Sequence, residues 1–206
     1  MPRDAFRLSL VPVGRVSPVD MDDLGRRLSD QGFQVTILPE RDVPPEAYDA
    51  RRRQYRAGTL LELVRSEAGD RVLAVTALDL YADDLNFIFG LAQSPGTVAV
   101  VSLYRLRAGA DARLLRERAL KEAVHELGHT FGLPHCPDAR CVMHFSNCLE
   151  DTDQKGASFC RRCTPGHLHP LSPLMLGMPR ILRPASPKLR QDRSSPRVSA
   201  RKGRAM

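Results

Sequence analysis

Apolar positions recur with two different periods along this chain. Short stretches rich in Val, Leu and Ile and bounded by Gly or Pro are typical of β-strands, whereas apolar residues at every third or fourth position predict α-helices. The stretches predicted as strands are residues 6–13, 33–38, 72–78, 85–90 and 97–102. The stretches predicted as helices are residues 18–28, 58–67 and 110–131. Residues 39–56, which hold three prolines and an arginine cluster, are expected to form a loop. This alternation of strands and helices predicts an α/β fold.

The later strands carry a prediction about binding. Residues 72–78 form a near-continuous apolar run, which is typical of a central strand covered on both faces. Residues 85–90 and 97–102 follow each other closely and favour an antiparallel pair with one member at the edge of the sheet. An exposed edge can bind an extended peptide as an additional strand, and a purely structural edge is the alternative.

The long helix predicted at residues 110–131 ends in potential metal ligands. His125 and His129 belong to the stretch HELGHTFGLPH, and on a helix they lie on one face about one turn apart. This spacing suits two ligands of one zinc ion. Glu126 lies about 100° further round the helix, where it suits a general base that acts on a water molecule at the metal.

A third imidazole follows after a predicted turn. Gly132 readily adopts the left-handed conformation that ends a helix, and Pro134 cannot continue one. The chain can therefore turn back and bring His135 to the same ion. Three imidazoles leave one position of a tetrahedral zinc open, which is typical of a catalytic site.

The cysteines immediately after this motif predict a second metal site. Their spacing, two chelating pairs joined by a loop, is close to that of a four-thiolate structural zinc site; reduced free thiols or redox chemistry are the alternatives. The four predicted ligands are Cys136, Cys141, Cys160 and Cys163. Cys148 is left over, and we expect it to be a small buried thiol. Because Cys136 follows His135 directly, the second site should anchor the segment that delivers the third histidine.

The net charge of +7 is concentrated at one end of the chain. Residues 180–206 hold nine Lys or Arg residues against one acidic residue, so the rest of the chain is close to neutral. This segment contains no aromatic residue and little apolar periodicity, which predicts a disordered basic tail. A weak electrostatic contact of the tail with nucleic acid or an acidic surface is the alternative to a tail without a specific role.

Composition and the N-terminal residues bear on location. The sequence has no run of 18 apolar residues, so we expect no membrane span. Its first ten residues lack the basic start and apolar core of a secretion signal. We therefore expect a cytoplasmic protein, where clustered cysteines are metal ligands more often than disulfides.

The motif resembles that of a known family. The pattern His-Glu-x-x-His-x-x-Gly-x-x-His-Cys-x4-Cys-x-Met, followed by Cys-x-x-Cys, is similar to that of the archaemetzincins, a branch of the metzincin zinc metallopeptidases. Residues 79–81, 85–90 and 100–106 also resemble that family, so the likeness covers residues 1–170. It implies a single compact metzincin-like domain with a twisted mixed β-sheet packed with helices, an active-site helix and a C-terminal segment held by zinc.

The resemblance also assigns roles by position. It implies that His125, His129 and His135 bind a catalytic zinc, that Glu126 is the general base, and that Met143 lies beneath this zinc. It implies that the four cysteines of the second cluster bind a structural zinc. Two Zn²⁺ ions per chain are therefore expected.

These observations together predict a zinc-dependent metallopeptidase. Residues 1–179 are expected to form the peptidase domain, to act as a monomer, and to hydrolyse peptide or protein substrates by means of water activated by Glu126. An aminopeptidase that acts on short peptides is one variant of this prediction. The alternative from a different class is a non-catalytic, zinc-stabilised interaction module that binds acidic partners through the basic tail. The presence of Glu126 favours the enzyme, since a purely structural metal site has no need of this carboxylate.

Overall fold

The computed structural model describes residues 5–82 and 85–164. These residues belong to one compact unit, Met1–His169. The predicted basic tail at residues 180–206 lies outside the described residues, as does the predicted domain boundary at residue 179. Both stay predictions.

Strands and helices alternate along the described chain. The strands are β1 (Arg7–Val13), β2 (Gln34–Ile37), β3 (Tyr48–Asp49), β4 (Gln54–Arg56), β5 (Arg71–Thr76), β6 (Leu80–Tyr81), β7 (Gly90–Ala92) and β8 (Val98–Ser102). The helices are α1 (Pro18–Asp30), α2 (Ala57–Val64), α3 (Ala112–Thr130) and α4 (Leu149–Gln154). Among the described helices, none is long and apolar enough to cross a membrane.

The main sheet has five strands in the order β2-β1-β5-β8-β7. The first four are parallel, and β7 pairs with β8 in the antiparallel direction. The sheet is therefore mixed, as the sequence predicted, and β7 is its edge strand on one side. The short strands β3, β4 and β6 form a separate small sheet.

Alternate residues of the central strands point to two apolar clusters. Leu73 and Val75 of β5 belong to the cluster that includes residues of α1 and α3, whereas Val72 and Ala74 belong to the cluster that includes residues of α2. β1 and β8 alternate in the same way. Helices thus cover both faces of the sheet, which explains the near-continuous apolar run of β5.

Two predictions about local structure are wrong. Residues 39–56, expected to be a loop, contain the hairpin-like pair β3 and β4 and a short 3₁₀ turn. The strand expected at residues 85–90 begins only at Gly90 and runs to Ala92. Before it, the chain makes only an isolated bridge from Ile88 to Leu80, and the side-chain amide of Gln54 donates to the Asn86 carbonyl at 2.9 Å. These contacts hold the aromatic residues of this segment in a loop.

Candidate active site and cysteine metal centre

Helix α3 begins at a side-chain cap and ends at a glycine. The Asp111 carboxylate accepts a hydrogen bond from the Leu114 N–H at 2.7 Å, which satisfies a free donor of the first turn. At the other end Gly132 has φ = 83°, a left-handed conformation that glycine adopts without strain. The Gly132 and Leu133 N–H groups donate to the His129 and Gly128 carbonyls at 2.8 and 3.2 Å. This is the Schellman arrangement, and it reverses the chain as the sequence predicted.

The reversal brings three imidazoles together. The Nε2 atom of His129 lies 3.1 Å from that of His125 and 3.2 Å from that of His135. His125 is buried, whereas His135 lies at the surface, where its ring packs against Phe145 with centroids 4.7 Å apart. The structure thus brings together the three histidines that the sequence singled out.

Hydrogen bonds at the far side of the rings fix which nitrogens face each other. The Nδ1 atoms of His125 and His129 lie 2.7 and 2.8 Å from the carbonyl oxygens of Val142 and Leu133. A carbonyl oxygen only accepts, so each Nδ1 carries the proton and each Nε2 presents a lone pair. Two lone pairs about 3 Å apart repel each other unless a cation lies between them. The donor set therefore fits a metal ion.

The spacing of the nitrogens also fits zinc. In a tetrahedral site with Zn–N distances of about 2.1 Å, two ligand nitrogens lie about 3.4 Å apart. The distances of 3.1 and 3.2 Å are close to this value. Burial lowers the pKa of His125 well below its ordinary value and lowers that of His135 to about 4. The imidazoles are therefore neutral near pH 7, as metal ligands must be.

Glu126 is enclosed beside this cluster. Its residue is 6% exposed, and burial, followed by repulsion from Glu122, raises the pKa of its carboxyl well above the ordinary value. Its side chain packs against the backbone of Gly90 in the edge strand β7, where a Cβ atom would lie 2.6 Å from the Glu126 Cγ and Oε1 atoms. Glycine at position 90 therefore provides the space that this carboxylate occupies.

Met143 lies beneath the helix that carries these residues. It is fully buried, and its thioether packs directly against Gly128, between His125 and His129 along the chain. A side chain at position 128 would overlap with this sulfur atom. Met143 thus packs against the helix that carries His125 and His129, and its position beneath a bound zinc stays a prediction of the resemblance.

The four cysteines Cys136, Cys141, Cys160 and Cys163 form a second cluster. The sulfur atoms of Cys136 and Cys160 lie 3.7 Å apart. A tetrahedral zinc with Zn–S distances of about 2.3 Å requires sulfur atoms about 3.8 Å apart. N–H groups, that of Cys163 foremost, lower the pKa of the Cys160 thiol to about 6, which favours its thiolate. Burial raises the pKa of the Cys141 and Cys163 thiols, so metal binding must release the protons of those two. The donor set and its spacing fit a closed zinc site.

Main-chain hydrogen bonds join the two clusters. Val142 accepts from the ring of His125 and donates its own N–H to the Ser158 carbonyl at 3.0 Å. The Cys136 N–H donates to the Met143 carbonyl at 2.8 Å, and the His144 ring lies 3.0 Å from the Cys136 carbonyl. Residues 142–144, which include the partner of the His125 ring, are thus bonded both to Cys136 and to the segment that leads to Cys160.

Cys148 lies outside both clusters, and the expectation that it is buried is wrong. It is exposed at the N-terminus of α4. Its thiol and its N–H both point to the Asp151 carboxylate, at 3.4 and 3.3 Å. Cys148 therefore caps a short helix.

The sequence did not predict that a charged side chain, that of Lys155, is buried behind His125. Lys155 is 1% exposed, and its Nζ lies 3.0 Å from Glu122 Oε1 and 3.5 Å from His125 Nδ1. Thr152 also donates to Glu122, at 2.8 Å. The spacing of Arg118, Glu122 and His125 on α3 indicates one polar helix face, but charged residues at such spacing are usually solvated, so the sequence does not reveal this contact.

Comparisons with known proteins agree with this geometry. A sequence model of Peptidase family M54 matches residues 21–167. An archaemetzincin from Methanopyrus kandleri is 54% identical over 147 residues, which cover 70% of this chain and 83% of the relative. The crystal structure of archaemetzincin from the same organism gives a TM-score of 0.73 at 43% identity and covers 82% of this chain and 96% of that chain. A zinc-dependent peptidase from Methanocorpusculum labreanum gives a TM-score of 0.65 at 29% identity, over 79% of this chain and 100% of that chain.

Proposed function

This chain belongs to peptidase family M54, with the archaemetzincins, and from that premise we propose that it hydrolyses peptide bonds with Glu126 as the group that carries the proton. Family membership makes it a zinc metallopeptidase. The observation that carries the mechanistic proposal is the convergence of three imidazole Nε2 atoms beside a buried carboxylate that borders an edge strand.

The residues of the site divide the chemistry between them. His125, His129 and His135 would hold zinc, which supplies a Lewis acid and lowers the pKa of water to about 7. Glu126 takes a proton from the attacking water and gives it to the leaving amine. Burial raises the pKa of this carboxyl, and a zinc ion at the histidines would oppose that shift, so the carboxylate could take the proton and hold it until the amine leaves.

The edge strand β7 supplies a surface for the peptide backbone. Gln93 and Phe89, which flank β7, hydrogen-bond to β8. In an antiparallel pair, residues that are bonded to the neighbouring strand alternate with residues whose N–H and C=O groups point away from it. The N–H and C=O groups of Gly90 and Ala92 therefore point to the open edge. We propose that a substrate binds there as an additional extended strand, next to Glu126.

A cleft beside the start of β7 gives a place for substrate side chains. It has a volume of about 650 Å³, and Phe87, Phe89, Tyr104 and Leu149 form much of its wall. Arg105 stacks over Phe87 at 4.2 Å and binds the Asp79 carboxylate through two hydrogen bonds of 2.6 and 2.8 Å. Arg107 and Glu150 also line the cleft, so we propose that it takes a substrate side chain with an apolar body and a polar end.

The cysteine cluster would hold a second, structural zinc, so we propose two Zn²⁺ ions per chain. A monomer, a cytoplasmic location and any contact made by the basic tail stay predictions of the sequence. The choice between an endopeptidase and an aminopeptidase is open to a direct test. Cleavage of N-terminally blocked peptides at the rate of free ones would contradict the aminopeptidase variant.

The decisive experiment compares the wild type with Glu126→Ala on a broad peptide library. Glu117→Ala, which removes a carboxylate nearer the start of the same helix, is the matched control. We expect all three proteins to bind two zinc ions and Glu126→Ala alone to lose activity, by about 10²–10⁴-fold, as loss of a general base does. Equal activity of wild type and Glu126→Ala, including none at all, would favour the non-catalytic interaction module instead.

A further inference from the structure

Lys155 is a buried cation that the mechanism above does not use. It follows α4 directly, and its side chain is fully enclosed. A charge in such a position is expensive unless it is paired and hydrogen-bonded. Its partners therefore indicate what it holds in place.

The ammonium group of Lys155 lies between the metal-binding helix and the turn beneath it. It binds the Glu122 carboxylate of α3 at 3.0 Å and the His144 carbonyl at 3.4 Å. The same nitrogen lies 3.5 Å from His125 Nδ1. Since that Nδ1 already donates its proton to Val142, the ammonium and the ring do not share a hydrogen bond.

Glu122 explains why a cation is needed here. It precedes His125 by three residues on α3, so both side chains lie on one helix face. Both also contact the same Lys155 nitrogen. Lys155 therefore neutralises the buried Glu122 carboxylate and ties this face of α3 to the turn whose Val142 carbonyl accepts from the His125 ring.

We propose that Lys155 is a positioning residue for the histidine metal site: it engages Glu122 and the His144 carbonyl, and so directs the His125 ring to Val142. The inference rests on the proposed function, because it requires that the three histidines bind zinc. The hydrogen bond from a ligating histidine to its outer partner fixes the orientation of the ring, and its loss typically reduces metal affinity about 10–100-fold.

The test uses the double variant Glu122→Gln/Lys155→Met. Lys155→Met alone would leave a buried, unpaired carboxylate, which destabilises the fold and adds a negative charge near the metal. The double variant removes both charges and keeps a side-chain oxygen that accepts from Thr152. Lys121→Met is the matched control, because Lys121 also binds the α4 segment, through the Thr152 and Asp153 carbonyls at 3.0 and 2.9 Å.

Two measurements report on the site itself. Competition with a chromophoric chelator gives the zinc affinity of the histidine site. NMR of the zinc-loaded protein gives the exchange rates of the imidazole Nδ1 protons. The His129 proton, bonded to the Leu133 carbonyl, is an internal control for that of His125.

We expect the double variant to bind zinc about 10–100-fold more weakly at the histidine site. The His125 Nδ1 proton should exchange faster while that of His129 is unchanged, and Lys121→Met should keep the wild-type zinc affinity. The proposal is overturned if the double variant matches the wild type in affinity and exchange, or if Lys121→Met loses as much affinity. Should the double variant fail to fold, Lys155→Gln, which keeps a shorter donor, is judged by the same criteria. Wild-type protein without zinc at the histidines would instead refute the proposed function.

Discussion

Gly90→Ala tests whether the edge strand and the Glu126 carboxylate, the proposed general base, are fitted to each other. The added Cβ would lie 2.6 Å from the Glu126 Cγ atom, whereas non-bonded carbon atoms normally approach to about 3.5–4.0 Å. Either the carboxylate or the strand must therefore move by about 1 Å. A displacement of that size at a reacting group costs about 10²-fold in rate, or about 2.7 kcal/mol in the activation barrier. Overpacking of this kind destabilises a fold by about 1–3 kcal/mol.

The assay for Gly90→Ala combines peptide hydrolysis, zinc content and thermal unfolding. Gly58→Ala is the matched control, because a Cβ at that position in α2 has open space and should stabilise the helix by about 0.5–1 kcal/mol. We expect Gly90→Ala to keep both zinc sites and to lose most of its activity. The second change Glu126→Asp shortens the carboxylate and should restore part of the lost stability.

The reasoning fails if Gly90→Ala hydrolyses peptides at the wild-type rate with unchanged thermal stability. That result would mean that Glu126 moves freely within its enclosure. An additional loss of zinc would point to a different cause, since the three atoms nearest to an added Cβ at position 90 all belong to Glu126.

Three further substitutions have defined outcomes. Cys160→Ser should remove the zinc of the cysteine cluster, whose apparent binding free energy is about 10 kcal/mol or more. It should also lower the zinc affinity of the histidine site about tenfold, because His135 directly precedes Cys136, and a chelator titration measures both zinc affinities. Glu126→Gln should stabilise the protein freed of the histidine-site metal. Because the native carboxyl has a raised pKa, it keeps a proton that the unfolded chain releases above about pH 4.3, so wild-type stability falls as pH rises. The gap in thermal unfolding between the two proteins should therefore widen as the pH is raised from about 5. Gly128→Ala would overlap with Met143 and should lower the free energy of unfolding by about 1–3 kcal/mol in a denaturant titration.

Helix α3 and the convergence of the histidines at its end were predictable because the signals are local. Apolar residues at helical spacing predict the helix, the spacing of His125 and His129 puts both on one side, and Gly132 marks the reversal. Each signal depends on the geometry of a few consecutive residues. The central strands were predictable for the same reason, since burial on both faces requires an unbroken apolar run.

Contacts between distant segments were not predictable from the pattern. Lys155 reads as a solvated residue in a polar stretch, and only the docking of α4 on α3 places it against Glu122. The start of β7 was misplaced because Ile88 and Phe89 alternate like strand residues, although they fill opposite apolar clusters from a loop. Cys148 was expected to be buried because its role as a helix cap depends on Asp151, three residues later.

Val142 joins the two clusters through its main chain alone. Its carbonyl accepts from the His125 ring, and its N–H donates to the Ser158 carbonyl, two residues before Cys160. Its side chain is buried and only fills an apolar space. Any apolar residue of similar volume would keep both hydrogen bonds. A mutational scan would therefore score position 142 as tolerant, and the route by which one site supports the other would escape methods that read function from side-chain identity.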